Sequence, residues 1–204
     1  MQVVGQVLRC APHLPQLQAL TFNMTDYTIN RSAIFGEIEY FDSQRELNNY
    51  LEKVKPYLAS IIIEFNCLED EISALLCDMY GDDNHEKIYI TISEMMFKRK
   101  ATTLLKLYSI ENASNRFGHE SEIRELDREI TACGTNRNEY AHGSWLYASP
   151  SKGVSVKTKV RKNGIETVYR KFDKDIMKKH LNLIAETRYH LLHFHSRFMA
   201  SKCQ

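Results

Sequence analysis

The chain has 204 residues, 43% of them hydrophobic and 26% charged, with a formal net charge of +1. That length holds one domain with a sizeable core, or a domain and an extension; no apolar run approaches a membrane span, Ile61-Ile62-Ile63 being bounded by Ser60 and Glu64. The five cysteines, Cys10, Cys67, Cys77, Cys133 and Cys203, are scattered and form no Cys-x-x-Cys pair, a pattern of reduced thiols in a cytoplasm and not of disulfides or structural zinc.

Residues 1 to about 30 carry no clear periodicity and include Pro12 and Pro15, which reads as an extension, with Met24 as an alternative start. Gln6 and Arg9 interrupt Val3, Val4, Val7 and Leu8, so the N-terminus lacks a signal-peptide core. Alternation around Glu37 and Glu39 predicts a strand over Ile34–Phe41, after which Asp42 or Ser43 caps a helix beginning near Gln44. Pro56 sits either in the first turn of a new helix or inside a longer one. From there to Tyr80, Leu58, Ile62, Phe65, Leu68, Ile72, Leu75 and Met79 form a long apolar stripe. Gly81-Asp82-Asp83-Asn84 ends it, and a second helix is predicted over roughly 86–112, with Phe97, Ala101, Leu104, Leu105 and Tyr108 as its apolar set. Lys98-Arg99-Lys100 interrupts that set, as a solvated face or as phosphate contacts.

The next predicted helix, 119–143, ends in Thr-Asn-Arg-Asn-Glu-Tyr-Ala-His-Gly-Ser-Trp from Thr135 to Trp145. At about 100° per residue its core-facing stripe is Ile123, Leu126, Ile130, Cys133, Arg137 and Tyr140, while Arg124, Thr131, Asn138 and His142 form an adjacent polar strip. An arginine inside an apolar stripe needs a partner, because an unpaired buried charge is costly. Two readings stand. In one, Arg137 pairs with a core carboxylate such as Glu69 or Asp70, Gly143 is a C′ glycine, and His142 answers the helix dipole. In the other, Arg137, Asn138 and His142 handle a phosphate.

Beyond the motif, Val154, Val156, Thr158 and Val160 alternate with Ser155, Lys157, Lys159 and Arg161. Asn163-Gly164 then supplies a type I′ turn, and Ile165–Phe172 returns, predicting a β-hairpin at about 153–172. Between Lys152 and Lys174 eight Lys or Arg stand against Glu166 and Asp173, a local net of +6 that leaves −5 for the rest of the chain. Such asymmetry is either a footprint for a polyanion or a solubilising edge whose cations meet Glu37 and Glu39. Asp173 caps the last predicted helix, 173–200, which carries His180, His190, His193 and His195 without a His-Glu-x-x-His zinc pattern.

The run Arg137-Asn138-Glu139-Tyr140-Ala141-His142, followed by Gly143 and Trp145, resembles the Arg-Asn-x-x-x-His motif of the HEPN (higher eukaryotes and prokaryotes nucleotide-binding) superfamily. The resemblance covers roughly Pro56 to the C-terminus. It implies a mainly α, HEPN-like helical bundle over 43–204, with the basic β-hairpin inserted before the last helix and 1–42 as an N-terminal extension. It also implies a cytoplasmic, cofactor-free and metal-independent endoribonuclease of a toxin–antitoxin, abortive-infection or other phage-defence kind, working as a homodimer whose motifs share a cleft. Its partners would be RNA and an antitoxin or other defence protein. In that reading Arg137 neutralises the scissile phosphate, His142 acts as general base or acid, and Asn138 orients His142 or binds the phosphate. Lys157, Lys159, Arg161 and Arg124 would contact RNA. The alternative is a non-catalytic HEPN-like module that holds RNA, a nucleotide or a protein.

Overall fold

The computed structural model describes residues 26–30, 44–81, 85–149, 153–161, 164–170 and 172–202. The fold is mainly α, a bundle of five helices with strands at one end: α1 (Gln44–Tyr80), α2 (His85–Ser93), α3 (Phe97–Asn115), α4 (Glu120–His142) and α5 (Lys174–Lys202).

Helix α1 carries Leu47, Val54, Ile61, Phe65, Leu68, Ile72 and Leu76 on one buried face, a spacing of three, four and seven that holds from its first turns to its last. Pro56 lies inside this helix, where its absent N–H and its ring are tolerated on an exposed side. The helix expected over 86–112 is instead two. A continuous helix would turn Ala101 about 180° from Ile92, yet both are buried in the same core. The chain therefore breaks at Glu94-Met95-Met96, with Met96 extended at φ −65° and ψ 149°. The buried side chain of Asn112 closes the α3–α4 turn, accepting from the His119 amide at 2.9 Å and donating to Glu120 at 2.8 Å.

Cross-helix contacts fix the directions. Phe65 meets Phe97 and Glu69 meets Lys100, so α3 runs parallel to α1; Glu71 meets Arg188 and Asp78 meets His195, so α5 does too. Cys133 meets Thr187, and Tyr140 meets His180, so α4 runs antiparallel to α5. The core between them includes Phe65, Leu68, Leu104, Tyr108, Leu126, Ile130, Phe194 and Phe198. Polar seams flank it: Arg188 of α5 holds Glu71 through Nε at 3.0 Å and also reaches Glu64. His190 lies between Glu129 at 2.9 Å and Glu122 at 3.3 Å. These carboxylates raise the His190 pKa, the Glu129 bond first. Of the four histidines of α5, His190 and His193 therefore part company, His190 bonding to α4 and His193 lying against Tyr189. Among the described residues no helix is long and apolar enough to cross a membrane.

Four strands, β1 (Asp26–Asn30), β2 (Ser144–Ser149), β3 (Gly153–Arg161) and β4 (Gly164–Arg170), pair antiparallel in the order β1-β4-β3-β2. Strand β1 falls where no periodicity was expected, since five residues are too few for alternation to register; Asp26 pairs with Arg170 and Asn30 with Glu166. The ladder of β3 and β4 runs from Arg161 opposite Gly164 to Val154 opposite Arg170, with a register shift between Ser155 and Lys157. Of the expected turn Asn163-Gly164, Gly164 instead opens β4 opposite Arg161, so it belongs to the ladder and not to the turn; residue 163, the expected strand Ile34–Phe41 and the expected caps Asp42 and Ser43 lie outside the described residues.

Candidate functional site

The buried face of α4 is built from Ile123, Leu126, Ile130, Cys133, Gly134 and Tyr140. Gly134 has a steric reason to be there: a Cβ at this position would stand 2.9 Å from Cε1 of Phe97. The Phe97 ring lies against α4 and packs on Phe65, centroids 4.4 Å apart. One turn beyond Gly134, the guanidinium of Arg137 lies over that same Phe65 ring, 5.2 Å from its centroid. A glycine, two phenylalanines and an arginine thus form one stack at the end of the bundle. Gly134→Val is expected to force the Phe97 ring aside and to destabilise the fold by about 2 kcal/mol, an overpacking cost. Denaturant midpoints would check this, and an unchanged midpoint would mean that the ring yields freely.

No carboxylate among the described residues lies within ion-pair distance of Arg137. Of the two acids named from sequence, Glu69 is held by Lys100 at 2.9 Å and Asp70 is exposed. Lys100 is thereby a buried structural cation, while Lys98 and Arg99 are exposed. The partners of Arg137 are instead the Phe65 face and the side-chain oxygen of Asn138, which accepts from Nη1 at 3.2 Å. Its Nε is buried without an acceptor. Leaving a buried donor unpaired costs about 1–3 kcal/mol, and a cation over an aromatic face recovers only part of that. This guanidinium is held in place without being neutralised, which suits it to an anion.

Asn138 and His142 are both exposed on α4, and no hydrogen bond joins His142 to any described residue. The side-by-side spacing expected of these two residues is present; the bond by which Asn138 would orient His142 is not. Gly143 leaves the helix at φ −65° and ψ 141°, extended backbone open to any residue, so it is not the left-handed glycine cap of the structural reading. Arg137 and His142 are five residues apart, about 7.5 Å along the helix and 140° around it. Arg124, exposed on α4, is about 20 Å along the axis from Arg137. Lys157, Lys159 and Arg161 occupy alternate positions of β3, opposite Val168, Glu166 and Gly164 of β4.

Residues that sequence reasoning gave no role complete the surroundings. Glu139 pairs with Arg170 of β4. The Tyr140 hydroxyl lies 2.7 Å from Nδ1 of His180. Burial, with the charge of Arg170, pushes the His180 pKa down to about 4. Trp145 donates its indole N–H to the Tyr140 carbonyl at 2.9 Å and stacks on Phe172. The signal for Tyr140 was present in the α4 stripe; nothing in the sequence pairs Glu139 with a strand thirty-one positions on. No family model, no curated protein and no solved structure matches the chain.

Proposed function

We propose that this protein is a metal-independent endoribonuclease of the HEPN kind, acting as a homodimer in toxin–antitoxin or other defence chemistry, with Arg137, Asn138 and His142 as its catalytic residues. The observation that carries this reading is the state of Arg137: fixed over Phe65, free of any carboxylate among the described residues, and with a buried Nε lacking an acceptor. A structural arginine at such a position is ordinarily matched by an acid. An unmatched one beside an exposed amide and an exposed imidazole fits an anionic substrate.

In the proposed reaction Arg137 offers its charge to the scissile phosphate, where negative charge grows in the transition state. His142 takes the proton of the ribose 2′-OH as that oxygen bonds to phosphorus; the bond from phosphorus to the 5′-oxygen breaks, the departing oxygen takes a proton from water, and His142 returns its own to solvent. The products are a 2′,3′-cyclic phosphate and a 5′-hydroxyl. The angular separation of Arg137 and His142 on α4 favours a dimer, because a second copy across the cleft brings another imidazole and another cation to the same phosphate. The paired strands β3 and β4, with the basic residues Lys157, Lys159 and Arg161, would track the RNA as the inserted hairpin of this bundle.

The freedom of His142 from any bond to Asn138 is the observation that favours the second reading, a module that binds RNA or a partner protein without cutting. Incubation of purified protein with total cellular RNA in EDTA separates the two. Cleavage leaving cyclic-phosphate ends, lost in folded His142→Ala while RNA affinity remains, is the expected result. Intact RNA after incubation with a folded dimer would remove the ribonuclease reading in favour of the binding module.

A further inference from the structure

The end of α4 is joined to the sheet and to the segment just after β4 by three contacts that meet at consecutive motif residues. Glu139 pairs with Arg170, and both side chains are largely screened from solvent. Tyr140 stacks on Trp145, centroids 6.3 Å apart, and its carbonyl accepts the Trp145 indole N–H. Tyr140 also packs on Phe172, centroids 4.5 Å apart. Aromatic packing of this kind fixes distance but resists sliding and rotation poorly, whereas an arginine–carboxylate pair sets direction.

The register of the sheet gives that direction a consequence. Arg170 stands opposite Val154, and from there β3 continues through Lys157, Lys159 and Arg161. The ladder is regular from Lys157 to Arg161, so these three positions recur every second residue, about 6.6 Å apart. That interval resembles the separation of successive phosphates along an extended single strand.

On this ground, and resting on the RNA reading above, we infer that Glu139 and Arg170 are a positioning pair that aligns β3 and β4 with Arg137, so that a single RNA strand held at Arg137 continues along the basic strands. The pair has a second effect. Glu139 is the carboxylate nearest in sequence to Arg137 and Asn138, and Arg170 cancels a charge that would repel the phosphate.

The test is binding of end-labelled oligouridylates, one long and one a trinucleotide, by full-length protein carrying His142→Ala to prevent cutting. Removing a carboxylate should strengthen RNA binding if net charge alone governs it. We expect the opposite from Glu139→Gln: about tenfold weaker binding of the long strand, with its salt slope falling by about 1 to 2 as phosphate contacts are lost. Affinity for the trinucleotide, which reaches only Arg137, should stay within about twofold, since its phosphate contacts are untouched. The exchange Glu139→Arg with Arg170→Glu should restore the long-strand affinity. Equal weakening for both lengths would mean a purely structural pair, and tighter binding or no RNA binding at all would likewise overturn the inference. Failure of the wild-type protein to cleave RNA, with the length effect intact in the His142→Ala background, would count against the ribonuclease reading alone; wild-type cleavage without a length effect would count against the positioning pair alone.

Discussion

Arg137→Met is expected to slow RNA cleavage by about 10²–10³ and to raise the melting temperature in the same protein. The two effects have one cause. In the folded chain the guanidinium is partly buried over Phe65 with its Nε unpaired, so it burdens the native state by about 1–3 kcal/mol. Methionine has a similar reach, carries no donor, and packs well against an aromatic ring, which replaces the lost cation–aromatic attraction at comparable strength. A net gain of about 1 kcal/mol would raise the midpoint by about 2–4 °C for a chain of this size. The loss of a donor aimed at developing phosphate charge would at the same time lower the cleavage rate by about 10²–10³. Scanning calorimetry and RNA cleavage on one preparation check both. A structural arginine would give the reverse pattern, a lower midpoint with little specific effect on cutting, and that outcome would remove Arg137 from the proposed chemistry.

The same residue shows how far sequence reasoning reaches. Its position inside the apolar stripe of α4 was legible, because helical periodicity places it among Ile130, Cys133 and Tyr140 whatever the tertiary context. Its partner was not. Glu69 and Arg137 are far apart in sequence, and Lys100, read there as an interruption, folds inward and occupies Glu69. Phe65 belonged to the stripe of α1, yet its contact with Arg137 depends on Phe97 lying against Gly134, a three-helix arrangement that no local pattern encodes.

The broken helix at Glu94-Met95-Met96 illustrates a second limit. Helical propensity persists across this segment without a glycine or proline, and the break arises because Ile92 and Ala101 must face the same core. Strand β1 illustrates a third: its pairing with β4 is long-range, and five residues carry too little alternation to announce it. By contrast α1, α4 and α5 followed from their apolar stripes within a few residues of their observed ends, Pro56 aside.

Tyr140→Phe is expected to destabilise the protein by about 2 kcal/mol at neutral pH and to reduce the loss of stability on acidification, while leaving folded protein able to cut RNA. The Tyr140 hydroxyl and Nδ1 of His180 are 2.7 Å apart in the interior. With both groups neutral, the hydroxyl donates to Nδ1 when the ring carries its proton on Nε2. Deleting the hydroxyl leaves that nitrogen without this donor, a penalty of about 1–3 kcal/mol. The pH dependence follows from the depressed pKa. His180 in the folded chain titrates at about 4, below the ordinary 6.5, because burial and then Arg170 disfavour its cation. Between those two values the unfolded chain binds the extra proton, so stability rises with pH across the window and is lost as pH falls toward 4. His195 is lowered too, chiefly by burial, and adds in the same direction, whereas the raised His190 contributes stability that is lost as pH rises through its folded pKa. The hydroxyl can donate to Nδ1 only while His180 is neutral, so the penalty of losing it shrinks as His180 takes up its proton, and the variant should be less stable than wild type at pH 7 and approach it below about pH 4. Thermal melts of both proteins across that range decide the matter. A Tyr140→Phe protein that melts like wild type but no longer cuts RNA would instead make Tyr140 part of the chemistry, and its position in the motif would then need a different explanation from the packing of α4 on α5.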